Sequence, residues 1–189
     1  MNPDPGGGIV RDGINYTATY TQEGVYYVAI TATDEAGNSA NDRSVMFLID
    51  KTAPTVAYER FTMEGYDLPQ ETAACGGCPI YFESEMISMD VEVVDNENGS
   101  GIHTVQGTLD PDGAAHVLSD VERSAINDLG QGPRRVSDLT CTNADVCTAD
   151  GELDLRQLSL GQHTIVITAT DMVGKSVNQE FVFLEHDFY

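Results

Sequence analysis

Apolar and polar positions alternate with a period of two through two well-separated stretches of the chain. Val28, Ile30 and Ala32 alternate with Ala29, Thr31 and Thr33, while Ile165, Ile167 and Ala169 alternate with Val166, Thr168 and Thr170. Successive side chains of a β-strand point to opposite faces, so this period, carried by β-branched residues, predicts strands. Each strand runs into Asp-x-x-Gly, Asp34 to Gly37 and Asp171 to Gly174. Such a turn uses glycine to supply a positive φ. A second β-rich stretch follows each turn, at 44–50 and 180–185, so each unit predicts a hairpin. Shorter strands are expected just before them, at 15–19 and 152–156.

The two hairpins are versions of one sequence. Gly24 to Asp34 is echoed by Gly161 to Asp171, and both contain Ile-Thr-Ala-Thr-Asp. Gly37 then matches Gly174, Ser39 matches Ser176, Asn41 matches Asn178 and Val45 matches Val182, always at the spacing that separates 34 from 171. That spacing is a domain length, well beyond a solenoid repeat. Pro54 follows the first unit, so the expected organisation is residues 1–51 as the C-terminal part of one domain and 52–189 as a complete second copy. Strands in the second copy are expected at 55–59, 86–94, 102–109, 152–156, 161–170 and 177–185. Two stretches, 62–85 and 113–149, are longer than a compact domain needs and read as insertions. Within the latter, Val117, Val121 and Ile126 predict a short helix over 117–129. The first copy has only its later strands, so its apolar face needs cover from sequence upstream or from another chain.

Gly24-x-Tyr26, Ala32-Thr33-Asp34-Glu35-Ala36-Gly37-Asn38 and Ile49-Asp50-Lys51-Thr52-Ala53-Pro54 resemble the C-terminal half of tandem bacterial immunoglobulin-like repeats of cell-surface and secreted proteins. The turn Asp95 to Ile102 is similar to a strand connection of that family, and Lys175 departs from it where the first copy has Asn38. The resemblance implies an all-β, antiparallel immunoglobulin-like sandwich. It says little about function, because one such fold hosts many roles.

Composition narrows the roles. Nine Lys plus Arg stand against 31 Asp plus Glu, for a formal net charge of −22. Such a field repels nucleic acid and anionic membranes, so neither is an expected partner. No apolar run is long enough to span a bilayer. Residues 1–8 have neither the basic nor the apolar segment of a signal peptide, so either a leader was removed upstream or Met1 is artefactual. The four cysteines, Cys75, Cys78, Cys141 and Cys147, form two close pairs. Local disulfides in an oxidising, extracellular compartment are the first reading. Zinc binding and a redox Cys-x-x-Cys are the alternatives.

Acidic turns supply the candidate metal ligands. Asp34, Asn38, Asp50, Asp95, Asn96, Glu97 and Asp171 lie at hairpin tips or at the junction, where carboxylates and carbonyls suit Ca²⁺. Asp110-Pro111-Asp112-Gly113 is a further candidate. The competing reading is that Asp and Asn favour turns for their own backbone bonding. His103, His116, His163 and His186 show no metal spacing, and His163 is expected to face solvent. No nucleophile elbow, P-loop or His-Glu-x-x-His is present, so catalysis has no positive support. The expected function is a non-catalytic structural or adhesive module, with neighbouring immunoglobulin-like domains or copies of itself as partners. The alternatives are a filament or pilus subunit completed by a neighbour's strand, and a carbohydrate-binding accessory domain of a secreted hydrolase. The last lacks an aromatic platform, since the chain has no Trp.

Overall fold

The computed structural model describes residues 9–12, 15–63, 66–67, 80–81, 86–112, 115–123, 132–137 and 139–185. Two short hairpins open the chain. Strands β1 (Ile9–Asp12) and β2 (Asn15–Ala18) pair with each other, as do β3 (Gly24–Thr33) and β4 (Ser39–Ile49). The rest of the chain builds two larger sheets. One contains β5 (Thr55–Met63), β6 (Tyr66–Asp67), β8 (Met86–Val94) and β11 (Arg135–Val136) in the order β11-β8-β5-β6, with β12 (Leu153–Asp154) also on β8. The other contains β7 (Ile80–Tyr81), β9 (Ile102–Leu109), β10 (His116–Glu122), β13 (Gly161–Asp171) and β14 (Ser176–Glu185) in the order β10-β9-β13-β14-β7. Among the described residues the pairings are antiparallel except β7 on β14, which is parallel.

Alternation explains why these segments face each other. In β8, Ile87, Met89, Val91 and Val93 are buried while the intervening residues are half-exposed. In β13, His163, Ile165, Ile167, Ala169 and Asp171 are buried. These two faces meet, with Val105 and Leu109 of β9, Leu118 of β10, and Phe181 and Phe183 of β14, in one apolar core shared by both sheets. The chain is therefore all-β and sandwich-like.

Several boundaries differ from expectation. Residues 116–122 form a strand, not the start of a helix. Val117 and Val121 are four apart, a spacing that fits one face of a helix and one face of a strand equally. Pairing with the open edge of β9 decides the matter, through a bulge that buries both Leu118 and Ser119. Only Leu153 and Asp154 of the strand expected at 152–156 are extended. Leu155–Gln157 is a 3₁₀ turn capped by the Asp154 carboxylate, which accepts from Arg156 N.

The β3–β4 and β13–β14 hairpins share their turn and upper register. Gly37 and Gly174 both take φ of 87°, and each donates to the carbonyl of the Asp three residues earlier. Ala29↔Arg43 through Thr33↔Ser39 corresponds pair for pair to Val166↔Glu180 through Thr170↔Ser176. Below that point β4 carries a bulge, so Tyr26 pairs with Phe47 while His163 pairs with Phe183. The constant offset read from sequence thus fails after the bulge. Burial differs more. The alternation puts Ile30 on the apolar face with Val28, yet it is 55% exposed, whereas Ile167, in the same place on β13, is 0% exposed. Val28 and Phe47 are half-buried, and the Val45 side chain lies outside the described residues.

This contrast predicts unequal costs for one substitution made twice. Ile167→Ala should cost about 2–5 kcal/mol through lost burial and a cavity. Ile30→Ala should stay within about 0.5 kcal/mol. Urea unfolding of both variants measures this, and equal losses would show that the Ile30 face is covered in solution.

Candidate functional site

The chemistry-bearing side chains gather where β4 ends and the second part of the chain begins. Asp50 follows β4 directly. Its carboxylate accepts from Thr52 N at 3.2 Å and reaches into the loop after β8 to accept from Ser100 N at 2.7 Å. Asp95 opens that loop and accepts from Asn96 N at 2.9 Å and from Gly101 N at 2.6 Å. A Cβ at Gly99 would run into the Asp95 carboxylate, so the loop closes only over glycine. Asp171, in the turn between β13 and β14, accepts from Val173 N and Lys175 N through Oδ1. All three aspartates are buried, and Asp95 feels the charges of the other two.

The surrounding segments are tied to the same loop. Gly132 N donates to Ser100 O, Ile102 N to Pro133 O and Met172 N to Gly101 O. The Arg134 guanidinium donates to the carbonyls of Asn96 and Glu97. Burying a carboxylate is costly unless hydrogen bonds replace its water, and here backbone N–H groups do so. Five of the six carboxylate oxygens accept at least one of them. Asp171 Oδ2, the Ser100 hydroxyl and Asn96 Nδ2 are buried with no hydrogen-bond partner among the described residues.

Asp50, Asp95, Asn96 and Asp171 of the seven calcium candidates thus come together. Glu97 is exposed beside them and contributes its carbonyl to Arg134. Asp34 and Asn38 sit elsewhere, at the exposed tip of the first hairpin. There the Asn38 side chain and backbone both donate to the Asp34 carboxylate at 2.8 Å, and the Asn38 amide holds that carboxyl below its ordinary pKa. Among the described residues, no group of three or more His, Cys, Asp or Glu side chains is placed to hold a metal ion.

Asp110 has a different job. It adopts φ of 48°, its Oδ1 accepts from Thr164 N at 2.9 Å, and its Oδ2 meets His163 Nδ1 at 2.6 Å. His163 Nε2 meets Ser159 O at 2.7 Å, and the ring lies 5.4 Å from that of Phe183. His163 is buried rather than solvent-facing. It fills a face position of β13, and both ring nitrogens are engaged. The equivalent residue of the first hairpin is Tyr26, whose hydroxyl donates to Gln22 O at 2.8 Å, again four residues upstream. Tyr26 packs with Tyr20 and Phe47. Aligning Tyr26 with His163 in the sequence was the available sign of this shared corner.

Cys141 and Cys147 form a disulfide, with Cα atoms 5.6 Å apart. It staples the segment leading into β12, and a shallow depression beside it is lined by residues of 140–151. Cys75, Cys78 and His186 lie outside the described residues. Among the described residues no helix is long and apolar enough to cross a membrane. No protein-family model matches the chain, and no curated protein is a significant match to it.

Two predictions follow from these geometries. Burial, aided by the charges of Asp50 and Asp171 and opposed by the Gly101 and Asn96 amides, pushes the Asp95 carboxyl above its ordinary 3.8. The folded chain then holds this proton more tightly than the unfolded chain. Stability from this group is complete below 3.8 and falls as pH rises through the folded value. Arg156 instead lowers the Asp154 carboxyl, so its contribution is present above 3.8 and is lost as pH falls. In urea titrations across pH, wild type should lose ground to Asp95→Asn as pH rises. It should lose ground to Asp154→Asn as pH falls. Slopes of the same sign would refute this assignment.

The disulfide is tested separately. Non-reducing peptide mapping should recover Cys141 and Cys147 in one linked peptide. Replacing both by Ser should cost about 2 kcal/mol, the loop-closure value for so short a loop.

Proposed function

We propose that the chain is a pair of immunoglobulin-like modules, residues 1–51 being the C-terminal part of one and 52–189 the other, acting as a non-catalytic structural or adhesive element of an extracellular or cell-surface protein. The observation that carries this reading is the junction. The last residue of the first hairpin unit, Asp50, caps the Ser100 amide of the next, and Asp95 feels the charges of both Asp50 and Asp171. A spacer must transmit orientation from one module to the next, and a buried, hydrogen-bonded link does so better than a free linker. Lys51 strengthens it from the other side, since its N–H donates to Glu23 Oε1 at 2.7 Å and its ammonium to Thr21 O.

Further support comes from the fold. Two sheets share one core, and the Tyr26 hydroxyl bonds to a carbonyl four residues upstream near the start of a strand, as tyrosine corners do in immunoglobulin-like domains. The Cys141–Cys147 disulfide suits an oxidising compartment.

The test is the stiffness of the junction. Spin labels at exposed Glu35 and Asp112 should give a narrow distance distribution in the full chain. Asp50→Ala, which leaves Ser100 N without its acceptor, should broaden it while leaving both labels on folded units. A distribution already broad in the wild type would defeat the spacer reading.

A further inference from the structure

We propose that the β3–β4 hairpin is an acceptor for a β-strand of another polypeptide: an extended, uncharged, alternately apolar segment added antiparallel to β3 in the register that β9 holds on β13. The proposal rests on the comparison of the two hairpins and stands without the module reading.

The comparison is internal to the chain. Over the shared register, β13 has β14 on one side and β9 on the other. Among the described residues, β3 pairs with β4 alone. On β13, the face formed by His163, Ile165, Ile167, Ala169 and Asp171 is closed throughout. On β3 the corresponding face begins buried at Tyr26, under Tyr20, and then opens, so that Ile30, Ala32 and Asp34 are exposed. One sequence in one register is thus fully covered in one place and uncovered in the other. Strand β13 has the β8 sheet across its face and β9 along its second edge, and among the described residues β3 has no second edge partner.

The chemistry of the edge says what that neighbour is like. Edge strands are ordinarily protected from pairing by charge, proline or a short length. Strand β3 runs ten residues, Gly24 to Thr33, and contains no charged side chain and no proline. The strand that fills the equivalent place, β9, carries neither Asp, Glu, Lys nor Arg. It sets Leu109, Gly107 and Val105 opposite Ile165, Ile167 and Ala169. Carried over to β3, the incoming strand places a large apolar residue opposite Val28, a small one opposite Ile30 and a β-branched one opposite Ala32. Main-chain bonds along Ala29–Thr33 supply affinity and the alternate side chains supply selectivity, the mode of β-strand addition.

The probe is a labelled synthetic peptide with the sequence of residues 102–109, the span of β9, added to the full chain. Fluorescence polarisation should show saturable binding with a Kd in roughly the micromolar range. Hydrogen exchange should slow at Ala29–Thr33 when the peptide is present. Ile30→Asp in the chain, or Val105→Asp in the peptide alone, should weaken binding at least about tenfold. The peptide-side change is independent of whether the chain variant folds. Three results would overturn the proposal. One is no binding. Another is binding that protects a different edge or ignores both substitutions. The third is a chain that is already dimeric with Ala29–Thr33 protected, which would make a second copy the occupant.

Discussion

Taking a carboxylate out of water has to be compensated, and at the Asp50–Asp95–Asp171 junction the compensation comes from the backbone. Most of what orders that end of the molecule follows from this. For the amides of Ser100, Gly101 and Asn96 to point at carboxylates, the loop after β8 must fold back on itself, and glycine at 99 lets it do so. The folded loop then bonds to the 132–134 segment and to the β13–β14 turn, which joins the two sheets at one end. Donors that are themselves part of the main chain cannot leave the site when conditions change, so the anions and the loop conformation hold each other in place. Burial still pushes the Asp95 carboxyl up, and the like charges of Asp50 and Asp171 add to it.

The same economy appears in the turns. Asp34 and Asp171 occupy equivalent corners and both accept the amide four residues on, from Asn38 and Lys175. Asp171 is sealed into the junction while Asp34 is open to solvent. The turn is therefore stable by local bonding in either setting. Burial is a consequence of what packs against it, and at the β13–β14 turn that includes the loop after β8, where Met172 N donates to Gly101 O.

Strands with clean alternation were legible in the sequence because two-residue periodicity and burial on one face are the same fact. Met86–Val94 and Ile102–Leu109 have the bounds that their patterns suggest. Where the pattern was ambiguous, tertiary pairing decided, as at 116–122, where the edge of β9 captured a segment whose spacing also suited a helix. The bulge in β4 was invisible because one extra residue changes no composition and breaks only the offset. The approach of Asp50 to Asp95 and Asp171 was invisible for another reason: it spans long separations and depends on loop closure. The exposure of Ile30 could not be read from its own neighbourhood at all, since Ile167 has the same neighbours in sequence and is buried.

The corner residues connect these points. Tyr26 and His163 both bond to the carbonyl four residues before them, yet they differ in what else they need. A phenol satisfies the corner with one hydroxyl and leaves its ring to pack, as Tyr26 does on Tyr20 and Phe47. An imidazole brings a second nitrogen that cannot be left bare when buried. In the second copy that nitrogen meets Asp110, which sits just past the end of β9. The histidine corner therefore ties β13 to its neighbour through a side chain, in addition to the main-chain ladder. The tyrosine corner makes no such demand. A strand joining β3 needs no acidic residue at its end to satisfy the corner, and selection for such a strand falls on its apolar alternation alone.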